Sequence, residues 1–377
     1  QQFKEFFESE KTGGIILLVV TILSLFLANS AWQNEYVGFW NIYLAGHTLT
    51  HWINDGLMTI FFLLIGLELE REIYKGELSD IKNAIFPISA ALGGMILPAT
   101  IFFVTNYGTN TQSGVGIPMA TDIAFALGIL SILGSRIPAN LKVFLTAVAV
   151  IDDLGAIIII AIFYSTSISI INLLLALGIF GILLLLNRLH INNLIFYIIG
   201  GVIMWYFMLN SGVHATITGV LLAFAVPFAG GHKQAPSYKL EHFLHKPVAF
   251  FILPIFAISN TAITLNGDIQ AILFQNINSI GIILGLVIGK PLGILLFSYI
   301  SYIIGISKLP EGIKWKNILG VGFLAGIGFT MSIFITLLAF EDIQAINNSK
   351  IAIIFASTLS GILGYLFLRY TIKTTTN

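Results

Sequence analysis

The stretch Val148-Ala149-Val150-Ile151-Asp152-Asp153-Leu154-Gly155-Ala156-Ile157 decides the fold, because it places two adjacent aspartates in the middle of an apolar run over residues 140–164. A membrane-spanning helix needs about 20 mostly apolar residues, and this run is long enough to be one. An aspartate at the centre of a bilayer costs about 2.5–3.5 kcal/mol on insertion scales, so ionisable residues at that depth indicate a function. The stretch therefore predicts a membrane helix that carries a functional acidic pair.

The composition of the whole chain also indicates a membrane protein. The 377 residues are 57% hydrophobic and 10% charged, with a mean hydropathy of +0.94. Soluble domains have about 45–50% apolar and about 25% charged residues, so a soluble fold could not bury this excess. Lys plus Arg (18) balances Asp plus Glu (18), which argues against a nucleic-acid partner. The absence of cysteine excludes disulfides and thiolate metal sites.

Twelve apolar segments predict a single all-α, polytopic membrane domain over residues 1–377 with 12 transmembrane helices. The first run follows a head with charges of both signs, unlike a signal peptide, and is interpreted as a membrane span. The segments are 14–30, 52–72, 84–105, 116–134, 140–164, 169–187, 193–210, 213–229, 247–265, 279–304, 317–340 and 350–371.

Basic residues test this layout independently. All but two of the 18 Lys and Arg residues fall in loops on one predicted side; Lys350 lies on the other side, and Lys290 lies inside a span. Positively charged loops stay in the cytoplasm. The pattern therefore predicts an even number of spans with both termini cytoplasmic.

Four ionisable residues remain deep inside the predicted spans: Asp122, Asp152, Asp153 and Lys290. A structural salt bridge between two helices would explain one pair, but three carboxylates and one ammonium leave a surplus of negative charge. That surplus requires protons or a metal cation. Because adjacent helical residues project about 100° apart, one of the paired aspartates can line a cavity while the other meets a partner such as Lys290.

Two of the predicted spans are interrupted. Residues 117–122 contain a proline and end in Thr121-Asp122, and residues 320–328 contain four glycines. Glycines of this kind also serve close helix packing. However, each interrupted segment is the middle of a three-span group, 84–164 or 279–371, and the two groups are inverted relative to each other. This predicts inverted repeats with broken helices that cross near the midplane and form the ion-binding core of a transporter. We expect 14–72 and 169–265 to supply interface or panel helices.

Several motifs together resemble the NhaA family of bacterial sodium/proton antiporters, in the right order along nearly the whole chain. They are Ala120-Thr121-Asp122-Ile123-Ala124-Phe125-Ala126-Leu127-Gly128, Ile151-Asp152-Asp153-Leu154-Gly155-Ala156 and Gly289-Lys290-Pro291-Leu292-Gly293, with Phe61–Glu68, Ser211–Thr216 and Gly326–Ser332. The inverted repeat agrees with this known family.

The resemblance implies electrogenic exchange of Na⁺ or Li⁺ for protons across the bacterial inner membrane. It marks Asp153 as the principal sodium ligand with Asp152 beside it, and Asp152 as the partner of Lys290. Thr121 and Asp122 would belong to the helix-break assembly, where Asp122 compensates charge. No organic cofactor is implied. Protons and the cation would compete for the same carboxylates, which face each side of the membrane in turn.

The same resemblance indicates a region of pH-dependent activation. The candidate residues are Glu68, Glu72, Lys239, Glu241, His242, His245 and His214. The alternative is that the charged members are solvated interfacial residues and that His214 is a hydrogen-bonded structural histidine. Glu70 departs from the family pattern, in which a basic residue is common. The loop over 31–51 is short for the family's dimerising β-hairpin, so a homodimer stays an expectation.

Three rival functions share features with this pattern. An intramembrane aspartyl protease would need a Gly-x-Gly-Asp pattern that this chain lacks, and adjacent aspartates cannot face each other across a scissile bond. A passive channel has little use for a lysine and carboxylates at one depth. A sodium-coupled symporter of an organic anion would keep the same fold and is the alternative to exchange. The sequence favours a secondary transporter that is not an enzyme.

Overall fold

The computed structural model describes residues 2–76, 78–164, 168–265 and 267–372, which are almost entirely helical. The helices are α1 Gln2–Ala28, α2 Gln33–Trp40, α3 Leu49–Trp52, α4 Met58–Tyr74, α5 Ile81–Thr105, α6 Ile123–Ile132, α7 Ala139–Phe163, α8 Ile170–Arg188, α9 Leu194–Leu209, α10 Ile217–Ala225, α11 Pro236–Pro247, α12 Leu253–Asn260, α13 Ile269–Phe274, α14 Ile277–Leu284, α15 Lys290–Ile303, α16 Trp315–Ala325, α17 Phe329–Ala339 and α18 Ile343–Thr371. The all-α prediction is confirmed.

Shorter elements complete the backbone. Strands β1 Tyr43–Leu44 and β2 His47–Thr48 pair antiparallel, and 3₁₀ segments cover Gln112–Met119, Gly134–Arg136 and Ala229–Gly231. Single π-turns at Ile53–Leu57, Val248–Ile252 and Gly285–Gly289 join α3 to α4, α11 to α12 and α14 to α15. The loop that looked short for a hairpin thus forms one, with two residues in each strand.

Eight helices among the described residues are long and apolar enough to cross a membrane, or ten if each of two bent pairs counts as one span. Every one of the twelve predicted segments contains helix, but the exact count of twelve stays a prediction. The segment predicted over 213–229 differs most, because its helix covers only Ile217–Ala225. Gly212 at φ +81° precedes it, and Pro227 biases Val226 away from helical geometry and ends it.

The chain divides into two compact units. The first comprises the described residues within Gln1–Ala31, Asp80–Ala156 and Thr261–Asn377. Its centre is the contact between α5 and α15, where a Cβ on Gly93 would lie 2.1 Å from the Gly293 carbonyl oxygen. A Cβ on Gly293 would in turn lie 2.1 Å from the Gly93 oxygen. Only glycine at both positions allows the two backbones to approach this closely.

The second unit comprises the described residues within Trp32–Ser79 and Ile157–Asn260. In it α4 packs on α10, and a Cβ on Gly219 would lie 2.2 Å from the Thr59 carbonyl oxygen. The hairpin and the end of α4 also belong to this unit, so it holds the residues predicted to regulate the protein.

Both interruptions predicted in the first unit are confirmed. The 3₁₀ segment Gln112–Met119 ends in extended residues before α6 begins at Ile123. Helices α16 and α17 are bent by 49° at the break between Ala325 and Phe329. The Asp122 amide donates a hydrogen bond of 2.7 Å to the Ile327 carbonyl oxygen, so the two breaks contact each other. We call this contact between residues 120–122 and 326–328 the crossing.

Candidate ion-binding site

The Asp122 carboxylate is held at the crossing by backbone and side-chain donors. It caps the N-terminus of α6 by accepting 3.0 Å from the Phe125 amide, and accepts 3.1 Å from the Thr330 amide at the start of α17. The Thr330 hydroxyl donates to the same carboxylate. Helix N-termini carry partial positive charge. Asp122, only 2% exposed, therefore has its negative charge offset by two helix ends.

Lys290 offsets negative charge, whereas Asp122 offsets the partial positive charge of two helix ends. Its side chain is completely buried, and Nζ lies 2.7 Å from Asp152 Oδ2. Nζ also donates to the carbonyl oxygen of Met119, at the C-terminal end of the 3₁₀ segment, where partial negative charge collects. A single ammonium therefore balances one carboxylate and one helix end.

Thr121 connects the crossing to the Asp152–Lys290 pair. Its hydroxyl lies 2.8 Å from Asp152 Oδ2 and 2.8 Å from the Ala325 carbonyl oxygen. A hydroxyl has one proton and can donate fully to only one of these acceptors at a time. The hydrogen bond of Thr121 is thus shared between an ionisable group and the broken backbone of α16.

The Asp152–Asp153 pair retains capacity for a ligand. Both residues are at most 1% exposed, and Asp152 Oδ1 has no hydrogen-bond partner among the described residues. Asp153 interacts electrostatically with Lys290. Beside them on α7, a Cβ on Gly155 would lie 2.2 Å from Met95 Sδ, so α5 packs tightly one turn away. The buried Lys290 ammonium therefore acts on both α7 carboxylates.

The buried site offers oxygen atoms as ligands. The described residues contain no group of three or more His, Cys, Asp or Glu side chains placed to hold a metal ion. Hard cations take oxygen ligands, and broken helices offer carbonyl oxygens for Na⁺. The carboxylates of Asp152 and Asp153, the Thr121 hydroxyl and nearby carbonyls supply oxygen atoms of this kind. Such oxygen atoms can bind and release an ion without any covalent step.

The predicted regulatory residues lie in the second unit, away from these aspartates in the chain. Arg71 bonds Glu241 on α11, and its Nη2 lies 3.3 Å from Glu72 Oε1 on its own helix. Glu70 is 5% exposed, and its Oε2 has no hydrogen-bond partner among the described residues. We call the group Glu68, Glu70, Arg71, Glu72, Glu241, His242 and His245 the α4–α11 cluster.

The Arg71 ion pairs are with Glu72 and Glu241, whereas His242 of this cluster and the remaining candidates, Lys239 and His214, have other surroundings. Lys239 and His242 are exposed, and the His242 ring stacks on Tyr238 with a centroid separation of 6.0 Å. A ring nitrogen of His214 lies 2.8 Å from the Tyr164 carbonyl oxygen. That bond agrees with the structural interpretation of His214.

Two side chains of these sites are not identified as site residues by the sequence analysis. Arg71 falls among the basic residues that set the topology, although its position among three glutamates on α4 is a usable signal. Thr330 lies within the Gly326–Ser332 motif, and its spacing gives no sign that it bonds Asp122. The Met119 carbonyl has no sequence signature at all, because every residue carries one.

Two backbone breaks that contact each other beside buried acidic and basic groups define the class of ion-coupled secondary transporters. Residues 4–368 match the family model described as Na⁺/H⁺ antiporter 1, and the chain belongs to this family. The prediction of a Na⁺/H⁺ antiporter is confirmed: the protein is a multi-pass membrane transporter that exchanges these ions, which decides against the symporter alternative.

Individual relatives agree. The chain is 65% identical over 375 residues to Na(+)/H(+) antiporter NhaA 1 of Flavobacterium johnsoniae, covering 100% of this chain and 98% of that protein. It is 66% identical over 373 residues to Na(+)/H(+) antiporter NhaA of Flavobacterium psychrophilum, with 99% and 97% covered. The structure of the sodium proton antiporter MjNhaP1 from Methanocaldococcus jannaschii matches with a TM-score of 0.55 and 16% identity, over 98% of this chain and 96% of that one. That likeness shows the fold.

Proposed function

We propose that the protein exchanges cytoplasmic Na⁺ or Li⁺ for external protons by alternating access, and that both ions compete for Asp152 and Asp153. The single observation that carries this proposal is the charge balance of the buried site. Two adjacent buried carboxylates on α7, Asp152 and Asp153, act on a single buried ammonium, Lys290, so their combined negative charge exceeds its positive charge and favours binding of a proton or a cation.

The competition gives a coupled exchange without any covalent step or organic cofactor. A carboxylate that has bound a proton cannot also bind Na⁺ with its negative charge, so each ion displaces the other. Asp152 Oδ1 and the Asp153 carboxylate supply the binding oxygens, and Thr121 supplies a hydroxyl ligand. Movement of more protons than sodium ions in each cycle makes the exchange electrogenic.

Alternating access is supported by the packing of the first unit. The Gly93 and Gly293 backbones contact each other reciprocally, as two segments related by a two-fold axis would do. Such a relation fits inverted repeats over 84–164 and 279–371. A repeat pair of this kind reaches either side of the membrane by rigid-body rocking around one fixed site.

The distribution of charge supports an orientation. All but two of the Lys and Arg residues belong to loops on one predicted side, which supports both termini lying in the cytoplasm. The bacterial relatives support an inner-membrane location. The α4–α11 cluster then lies at the cytoplasmic end of its helices. We propose that it adjusts exchange to cytoplasmic pH, because Arg71 links α4 to α11 through an ionisable carboxylate, Glu241.

The exposed hairpin residues Tyr43 and Leu44 offer a contact for a homodimer.

The decisive experiment measures collapse of a preformed pH gradient in proteoliposomes after addition of Na⁺, Li⁺ or K⁺. We expect Asp153→Asn to abolish the Na⁺ response, because an amide cannot exchange a proton for a cation. Asp342→Asn is the matched control, since Asp342 is an exposed helix cap and asparagine caps equally well. Full Na⁺-driven collapse in Asp153→Asn would contradict the assignment of this carboxylate. Dependence of the rate on an imposed membrane potential tests electrogenicity.

A further inference from the structure

A second group of titratable side chains lies at the opposite end of the helix that carries Glu68–Glu72. His47 on β2, His51 on α3 and Asp55 in the first π-turn form what we call the histidine–aspartate cluster. His51 Nε2 lies 3.1 Å from Asp55 Oδ2, with the two side chains 39% and 16% exposed. The His47 and His51 rings stack with centroids 4.2 Å apart and planes 16° from parallel.

This arrangement is suited to hold one proton. The Asp55 carboxyl group lies at the Nε2 edge of the His51 ring and the His47 ring covers its face, so a proton on Nε2 has an acidic acceptor. A second proton on His47 would place two positive rings face to face, which is unfavourable. Histidine titrates at about pH 6.5 when unperturbed, within the range that a bacterium meets outside.

The surroundings add few other charges. His214 interacts electrostatically with Asp55, as do both cluster histidines. Trp205 on α9 donates to the Asp55 carbonyl oxygen at 3.3 Å, and Trp52 contacts both His47 and Trp205 edge-on or tilted. Helix α12, which packs on the π-turn, has no titratable side chain in Leu253–Asn260, and the acidic residue of α2, Glu35, is exposed.

The cluster also spans an irregular piece of backbone. Thr48 accepts a hydrogen bond from the His51 amide and starts α3, and the π-turn Ile53–Leu57 follows directly. Single π-turns inside α-helices occur frequently at functional sites. The ion pair joins α3 to this turn, so loss of its proton removes one restraint on the start of Leu49–Tyr74.

We propose that the histidine–aspartate cluster binds a proton from the external solution and that its occupancy raises the rate of Na⁺/H⁺ exchange. This rests on the proposed function, since the positive-inside orientation puts residues 31–51 outside. Protonation of the cluster at acidic external pH restrains the outer end of the helix, and deprotonation at alkaline external pH releases it. The site is separate from the α4–α11 cluster and responds to the other side of the membrane.

The test varies pH on one side of the membrane at a time, in right-side-out and inside-out vesicles. For each variant the ratio of exchange rates at external pH of about 6.5 and about 8.5 is measured, a range that straddles histidine titration. We expect His51→Gln to reduce this ratio at least about threefold relative to wild type while the cytoplasmic pH profile stays the same. His51→Lys carries a fixed charge beside Asp55 and should keep the high rate at alkaline external pH.

His190→Gln is the matched control, because His190 is exposed, lies in the loop after α8 and is predicted to face the cytoplasm. An unchanged or larger ratio in His51→Gln, with folded protein of normal thermal stability, overturns the proposal. So does a His51→Lys variant that keeps the external pH response of wild type. Absence of Na⁺-driven exchange in wild type at every pH would instead overturn the proposed function. Titration of isotope-labelled histidine rings still tests proton binding by the cluster in that case, and a His51 ring that takes up no proton between those pH values overturns it.

Discussion

The crossing and the α4–α11 cluster both gather charge in an apolar protein, but they neutralise it differently. Asp122 at the crossing and Lys290 beside it both meet the ends of broken helices, so the backbone supplies compensating charge in addition to the Asp152–Lys290 pair. In the α4–α11 cluster, one guanidinium meets several carboxylates, so the compensation comes from side chains alone. The partial charge of a backbone group does not change with pH, whereas the charge of a carboxylate does.

This difference separates two tasks. Fixed partial charges keep the crossing assembled through a transport cycle, whatever ions are bound. Titratable side chains make the α4–α11 cluster change its charge with pH. Glu70 is buried next to Glu241, and its Oε2 has no hydrogen-bond partner among the described residues, so a negative charge on Glu70 is poorly stabilised. Substitutions at the crossing should therefore affect stability and turnover, and substitutions in the cluster should affect pH dependence.

The largest effect is expected at Lys290. Lys290→Met leaves the Asp152 carboxylate and the Met119 carbonyl without their cation, and breaking a buried pair in this way costs about 3–5 kcal/mol of unfolding free energy. Lys350→Met is the matched control, because Lys350 is also buried but makes no ion pair among the described residues. Thermal unfolding in detergent measures both.

A double-mutant cycle sharpens that result. If the loss comes from the uncompensated charge, adding Asp152→Asn to Lys290→Met should restore much of the stability, because the buried carboxylate is then gone. Equal and additive losses in the two single variants would show instead that the residues do not interact as the 2.7 Å contact indicates.

The next effect is expected at Asp122. Asp122→Ala removes the acceptor for the Phe125 and Thr330 amides and the Thr330 hydroxyl, and leaves two helix ends unopposed. Loss of a helix cap together with unsatisfied buried donors should cost about 2–4 kcal/mol. Asp268→Ala removes only a surface cap and is the comparison. An Asp122→Ala protein as stable as Asp268→Ala would contradict the charge balance at the crossing.

Thr121 tests the link between the crossing and the ion. Thr121→Val keeps the shape but removes the hydroxyl, so we expect the Na⁺ concentration for half-maximal exchange to rise about tenfold, as for loss of one hydrogen bond to a charged group. Thr121→Ser keeps the hydroxyl and should stay within about twofold of wild type by the same reasoning. If valine and serine behave alike, the Thr121 hydroxyl is a packing group and takes no part in ion binding.

Much of this organisation could be predicted from the sequence, because charges are conspicuous in an apolar chain. Asp122, Asp152, Asp153 and Lys290 stand out by depth alone, and Pro118 with the glycines of 320–328 marks the two breaks. The sequence alone does not decide whether Asp152 or Asp153 meets Lys290. In the structure Asp152 forms the ion pair with Lys290.

The rest depends on features that leave no pattern along the chain. The Met119 carbonyl and the amide donors at Thr330 are backbone groups, present at every residue and selected only by the fold. Helix α10 ends early because Pro227 overrides an apolar run that continues past it. The positive-inside rule already accounts for a basic residue at Arg71, so its second role, binding Glu241, is not evident from the sequence.

The smallest effect is expected at Arg71, and it has a definite sign. Arg71 favours the ionised form of Glu241, so Arg71→Gln should let the cluster keep its proton to higher pH. If deprotonation of the cluster activates exchange, the cytoplasmic pH profile moves to more alkaline pH by about one unit, equivalent to about 1.4 kcal/mol. Lys75→Gln, an exposed charge at the end of the same helix, should leave the profile in place. A shift to acidic pH would show that Arg71 acts on a different partner. Equal shifts in both variants would show that Arg71 acts through the general surface potential, and not through the specific ion pair between α4 and α11.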